Sequence, residues 1–230
     1  MDDILNPTIY LGSFEWREPI TTLTDFLVAI VAIFGYYKFK SYKGIKSSNF
    51  NFFIFYFLCF AVGMTSAAWL WHGLQAYVGP EFKRIGWICG ATALLLFGLG
   101  SFDLIKTQFN KTAYKVLKIL FVGQYLSLVF LMLNPSTSDF ILAQLSSTLS
   151  LIFFIFPIHL YNFLKTKHIG SSYIVLTIIY SIIPGFIYNN QISVNKWFNF
   201  HDISHVLMAI FMFLMIIGTS KLSMIKTNEL

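Results

Sequence analysis

Charge is what this sequence has least of: Asp, Glu, Lys and Arg together make up 11% of its 230 residues, and only 10 of those are acidic. A soluble domain of this length carries about a quarter of its residues as charged side chains, so a water-solvated globule is excluded. Cysteine is nearly absent as well. Cys59 and Cys89 both fall inside apolar runs, which leaves no disulfide framework. There is no internal repeat, no glycine-rich phosphate loop, and no serine–histidine–aspartate arrangement. No loop is long enough to build a basic domain, so the formal charge of +6 does not point to nucleic acid. Met1-Asp2-Asp3 is acidic and no apolar core follows until about Leu23, so a cleaved leader is not expected and the first apolar run is the insertion signal.

What is present is apolar bulk. Hydrophobic residues make up 57% of the chain and aromatics 19%, and mean hydropathy is +0.69. Seven runs centred near Ile30, Phe60, Leu95, Tyr125, Phe153, Ile179 and Ile210 are each long enough to cross roughly 30 Å of hydrocarbon. The expectation is an all-α integral membrane bundle of seven transmembrane helices over 22–222, preceded by an outer segment 1–21 and followed by a cytoplasmic tail 223–230.

Lysine sets the orientation, because short cytoplasmic loops collect positive charge. Lys38, Lys40, Lys43 and Lys46 follow span one; Lys106, Lys111, Lys115 and Lys118 follow span three; Lys165 and Lys167 follow span five. The alternate connections are poor in charge, and the N-terminal segment sets Asp2, Asp3, Glu15 and Glu18 against Arg17 alone. This places the N-terminus outside and the C-terminus, with Lys221 and Lys226, in the cytoplasm.

Orientation sorts the histidines by depth. Span two runs outward and ends near Trp71-His72-Gly73, while span seven runs inward and begins with His201-Asp202-Ile203-Ser204-His205. A four-residue spacing puts His201 and His205 on one helix face, and His72 reaches a similar depth. His159 and His168 lie toward the cytoplasmic side. Three imidazoles with a fourth position open suit a catalytic zinc, with copper or iron not distinguished by ligand type. The structural alternative is a set of histidines at helix ends that snorkel to headgroups or bond a carbonyl.

These features resemble the CREST superfamily of seven-span membrane hydrolases, which includes alkaline ceramidases and the progestin and adipoQ receptors. The resemblance implies a zinc ion on His72, His201 and His205 whose water attacks a lipid amide or ester. It also extends to Glu15-Trp16-Arg17-Glu18, which is similar to the acidic-Trp-x-Glu motif that alkaline ceramidases use, with a further carboxylate here matched by Asp25, to bind calcium. Read from residue type alone, Glu15, Glu18 and Asp25 are hard oxygen ligands that suit calcium, while Asp25 is equally well read as a helix N-terminal carboxylate beside Thr21 or Thr22.

Two family positions are not matched. The serine four residues before the span-two histidine is Ala68 here; Thr65, seven residues before His72, is the hydroxyl expected to share its face. The span-three aspartate falls at Cys89, and Asp103 lies about 24 Å along the helix from Trp87. The general base is therefore open between Glu81 folding in from its loop and Asp25 or Asp202 substituting from another helix. As a third alternative, Cys89 takes the fourth zinc position and closes the site.

Elsewhere the sequence reads as structure. The 26 phenylalanines are packing and lipid-facing bulk. Trp69, Trp71, Trp87 and Trp197 mark an outer aromatic belt, Pro157 and Pro184 are expected to kink spans five and six, and Gly86, Gly90, Gly98 and Gly100 to permit close packing. The functional expectation is a zinc-dependent hydrolase in the bacterial inner membrane or an endomembrane, with its site on the non-cytoplasmic side and membrane lipids as substrate. The alternative is a non-catalytic, zinc-stabilised receptor-like or scaffolding protein. A transporter or proton relay is disfavoured, because polar groups gather on one side.

Overall fold

The computed structural model describes residues 7–42 and 50–222. Asp2, Asp3, Lys43, Lys46, Lys226 and the tail 223–230 lie outside the described residues. Backbone polar groups have no water to bond in an apolar environment, so long apolar runs satisfy their amides internally by coiling into helices. Seven helices long and apolar enough to cross a membrane result: α1 Pro19–Lys40, α2 Phe50–Gly73, α3 Pro80–Ile105, α4 Lys111–Leu133, α5 Phe140–Thr166, α6 Ile169–Asn189 and α7 Phe200–Leu222.

Their ends are written in local chemistry. Pro19 opens α1, where its missing N–H costs nothing. Asn110 and Asp139 cap α4 and α5 by accepting the amides of Thr112 (2.8 Å) and Ile141 (3.0 Å). Before α1 the chain forms a hairpin that the sequence reading did not foresee, β1 Thr8–Leu11 against β2 Phe14–Arg17, turning at Gly12 with φ +65°.

α1, α2, α3 and α7 make the closest-packed part of the bundle, with α6 against α7, while α4 and α5 lie at its edge and are the least covered. Phe39, Tyr56, Phe57, Phe97, Met212 and Met215 fill the centre. Small residues set the spacing: a Cβ added at Gly63 would stand 3.1 Å from Cys89 Cβ and 3.3 Å from the Gly86 carbonyl, and one at Gly100 would meet Phe53 at 2.9 Å. Gly98 sits against Phe121. Gly90 is the exception among the four expected packing glycines, with nothing within 4 Å of an added Cβ.

Two helices leave the α repeat. The last turns of α2, Ala67–Gly73, and a middle stretch of α5, Leu149–Ile155, are π-helical, with Pro157 following the second. The π stretch in α2 changes the arithmetic for Thr65. Facing His72 across seven residues assumes 3.6 residues per turn, and the wider i→i+5 turns alter that phase. α6 breaks at Ser181, three residues before Pro184. The Pro184 carbonyl accepts a hydrogen bond from Ser204 Oγ of α7 (3.2 Å), which ties the break to the helix carrying His201 and His205.

Candidate metal centre

The site sits where the first turns of α1 and α7 meet the last turn of α2. Asn199 and Asp202 build the entry to α7 as a reciprocal cap: Asn199 Oδ1 accepts the His201 amide (2.8 Å) and Asp202 Oδ2 accepts the Asn199 amide (2.7 Å). That cap fixes the turn bearing His201, and His205 follows one turn on. On α2 the π turn delivers His72. The three rings converge, with centroid separations of 5.7 Å for His72–His201, 6.0 Å for His72–His205 and 6.3 Å for His201–His205.

α1 supplies the acids. Glu18 stands immediately before Pro19 in the left-handed region (φ 44°), its amide bonded to the Pro7 carbonyl at the base of the hairpin (2.8 Å). A non-glycine residue held there is unusual and has to be over-determined by its surroundings. Its side chain is held at the site: His72 Nδ1 hydrogen-bonds Glu18 Oε2, which also accepts from Gln75 Nε2 at 3.1 Å. Burial raises the Glu18 carboxyl, but the hydrogen bond and charge of His72 outweigh it and leave the group below its ordinary range.

Asp25, one turn and a half into α1, is fully buried between the histidines. Oδ1 lies 3.2 Å from His205 Nδ1 and Oδ2 lies 3.7 Å from His72 Nε2, yet neither oxygen accepts a hydrogen bond. Thr24 Oγ1 approaches the same His205 nitrogen at 3.3 Å. Asp202 keeps Oδ1 without a partner as well. A buried carboxylate without donors costs several kcal/mol unless a cation meets it. The nearby ammonium is that of Lys83, 5.4 Å over the Trp71 ring and close enough to interact with Glu18.

An aromatic wall borders the histidines on the side away from α1. Trp71 stacks beside His72 (5.5 Å), meets Trp87 (5.5 Å) and Phe140 (5.1 Å), and Phe140 passes the contact to Tyr188 (5.5 Å) and so to His201 (5.3 Å).

Among the described residues no three His, Cys, Asp or Glu side chains already stand at ligand distances around one point. The rings are nonetheless near the required placement. With Zn–N bonds of about 2.0–2.1 Å, three imidazoles on one ion hold their centroids about 5 Å apart, slightly inside the observed spacings. The donor set fits a divalent ion: two orphaned carboxylate oxygens among three imidazoles, one of them already oriented by a carboxylate on its far nitrogen.

Several expected site residues are placed elsewhere. Glu15 does not join Glu18 and Asp25 in an acidic trio; its carboxylate pairs with Arg17 Nε at 2.5 Å on the hairpin. Glu81 is exposed on the 3₁₀ turn Pro80–Phe82, lying against Gly79 instead of folding in. Cys89 faces Gly63, nine residues or about 13 Å of helix below His72, so it does not close the site. Thr65 is half-buried below the π turn, and Ala68 is buried with no hydroxyl to offer. Asp202 carries the α7 cap on Oδ2 and has Oδ1 to spare. His159 is bound at both ring nitrogens by Ser101 (3.0 Å) and Ser171 (3.2 Å), toward the opposite end of the bundle.

The chain belongs to the family of unknown function DUF6962, whose model matches residues 20–224. That stretch takes in the seven helices from the second residue of α1 onward and leaves the hairpin outside. No curated protein and no solved structure matches the chain.

Proposed function

Taking membership of that family as the premise, we propose that this chain is a divalent-metal-dependent membrane hydrolase acting on a lipid amide or ester, with zinc on His72, His201 and His205. The observation that carries the reading is Asp25, a fully buried carboxylate with both oxygens unbonded, set between two of three converging imidazoles. Charge supports it. With neutral imidazoles, Glu18, Asp25 and Asp202 give three negative charges against Lys83, the nearby ammonium among the described residues, and one divalent cation neutralises the remainder.

A zinc ion there would supply Lewis acidity and a water of lowered pKa. The chain's own groups do the rest. Glu18 takes the Nδ1 proton of His72 in a hydrogen bond and so leaves Nε2 as the lone-pair donor. Asp25 is placed to accept a proton from a water molecule between His72 and His205. Burial of the cluster keeps bulk water away, which strengthens each charge interaction.

Placement in the bilayer is part of the proposal. Seven apolar helices together with lysine-rich alternate loops support an outside N-terminus, which puts the metal centre in the outer leaflet. The resemblance to CREST hydrolases agrees in helix number, histidine positions and orientation, with Asp25 standing in for the unmatched span-three aspartate.

A second reading follows from the same carboxylate. If Asp25 is a fourth protein ligand, the tetrahedron is closed and the ion is a clamp between α1, α2 and α7. Release of fatty acid from a panel of lipid amides and esters, before and after chelation, decides between them. The hydrolase reading expects chelator-sensitive release; retained metal with no release from any lipid would support the clamp. Glu18→Gln is expected to weaken metal affinity by about 10–100-fold, because the amide orients His72 less firmly and no longer polarises it. Competition with a zinc-chelating dye measures this.

A further inference from the structure

We infer that the N-terminal hairpin is a strap that aims Glu18 at His72, with Thr22 and Tyr77 as positioning residues; this rests on the proposal that His72 helps to hold a metal. Glu18 keeps φ at 44°, a conformation that residues with a side chain leave unless they are fixed from outside. Returning it to an ordinary φ would swing its Cα–Cβ bond and carry the carboxylate off His72 Nδ1. The aim is therefore set by whatever holds the Glu18 backbone.

Both of its peptide groups are tied. The Glu18 amide donates to the Pro7 carbonyl at 2.8 Å, and the Glu18 carbonyl accepts from Thr22 twice, from the amide at 2.9 Å and from Oγ1 at 3.0 Å. That hydroxyl is a junction. Thr22 Oγ1 also accepts from Trp16 Nε1 of β2 at 3.4 Å, so one fully buried group joins the strand, the Glu18 carbonyl and the first turn of α1. The junction lies against the residue that follows His72: a Cβ at Gly73 would stand 3.3 Å from Thr22 Oγ1 and 3.4 Å from Trp16 Nε1.

Tyr77 anchors the start of the same strand. Its Oη accepts the Glu15 amide at 2.6 Å and donates to the Ser13 carbonyl at 3.3 Å, while its ring stacks on Phe14 at 5.6 Å with the two planes 6° apart. Ser13, Phe14 and Glu15 are thus held by one side chain, from the turn that follows α2 and His72. Trp16 then meets Thr22, and Glu18 comes two residues later. The strap is fastened beside the ends of the two elements that it joins through Glu18 and His72, so Thr22 and Tyr77 act on the metal centre through the Glu18 carboxylate.

A double-mutant cycle on zinc affinity tests this in the full chain, read by competition with a zinc-chelating dye. Thr22→Val removes the junction hydroxyl at nearly constant shape, and Tyr77→Phe removes both hydroxyl bonds of the anchor while keeping its ring. Each is expected to weaken zinc binding by about three- to tenfold, and Thr22→Ser to keep the wild-type value. In a Glu18→Ala background, where no carboxylate is left to aim, neither change is expected to have an effect. Equal losses in the two backgrounds would overturn the strap in favour of a merely structural contact, and unchanged affinity in both single variants would overturn it as well. A second measurement needs no metal: the His72 Nδ1 proton of the metal-free protein, carrying isotope-labelled histidine, is expected to exchange with water severalfold faster in Thr22→Val and Tyr77→Phe than in the wild type. Wild-type chain that takes up no zinc would contradict the metal reading, and equal exchange in all three proteins would then overturn the strap separately.

Discussion

Asp25→Asn is expected to lower lipid hydrolysis by about 10²–10⁴-fold, the usual contribution of a positioned general base. An amide of the same size keeps the packing between α1, α2 and α7 and removes both the negative charge and the capacity to take a proton. The change breaks no hydrogen bond, since the oxygens of Asp25 accept none and its exposure is nil. Fatty-acid release and zinc content measured on one preparation separate the roles. Lost activity with metal retained identifies the base; lost metal identifies a ligand. Full activity in Asp25→Asn would remove Asp25 from the chemistry altogether.

Stripping the metal from the wild-type protein is expected to cost about 3–5 kcal/mol of stability, the penalty for leaving a buried charge without its partner. Asp25, with both oxygens unbonded, and Asp202, with Oδ1 unbonded, share the cluster, and without a divalent ion both carboxylates face Glu18 across a buried space. Asp25→Asn is expected to lose much less on chelation, because one of the repelling charges is gone. Unfolding in detergent with and without chelator gives both numbers. Equal losses in the two proteins would mean that the cation does not act on Asp25.

The sequence exposed the coarse architecture because membrane-length apolar runs leave few alternatives, and the helices follow those runs closely. Convergence of His72, His201 and His205 was legible for a related reason: antiparallel spans make depth computable from position alone. Other features had weaker signals. Asn199-x-x-Asp202 before an apolar run is a capping-box pattern that could have assigned Asp202 to the α7 cap. Alternating apolar residues around Gly12-Ser13 could have announced the hairpin. The pairing of Glu18 with His72 had no local signal, since it joins a residue at the base of a hairpin to one 54 positions away.

The π turn over Ala67–Gly73 was equally silent, and it alters the helical phase on which the reading of Thr65 rested. Period counting presumes 3.6 residues per turn, and nothing in Ala67-Ala68-Trp69-Leu70-Trp71 declares otherwise. Cys89 failed for a different reason. Matching it to a family aspartate fixes a sequence offset, whereas the close approach of α2 and α3 at Gly63 and Gly86 fixes which level of α2 it faces. Its level is that of Gly63.

Metal content tests the central claim most directly. Elemental analysis of the purified wild-type chain beside His72→Ala, His201→Ala, His205→Ala and Cys89→Ala is expected to give about one zinc per chain in the wild type and in Cys89→Ala, and little in any histidine variant. Wild-type protein that holds no divalent metal after zinc is supplied, or histidine variants that hold as much as the wild type, would contradict it.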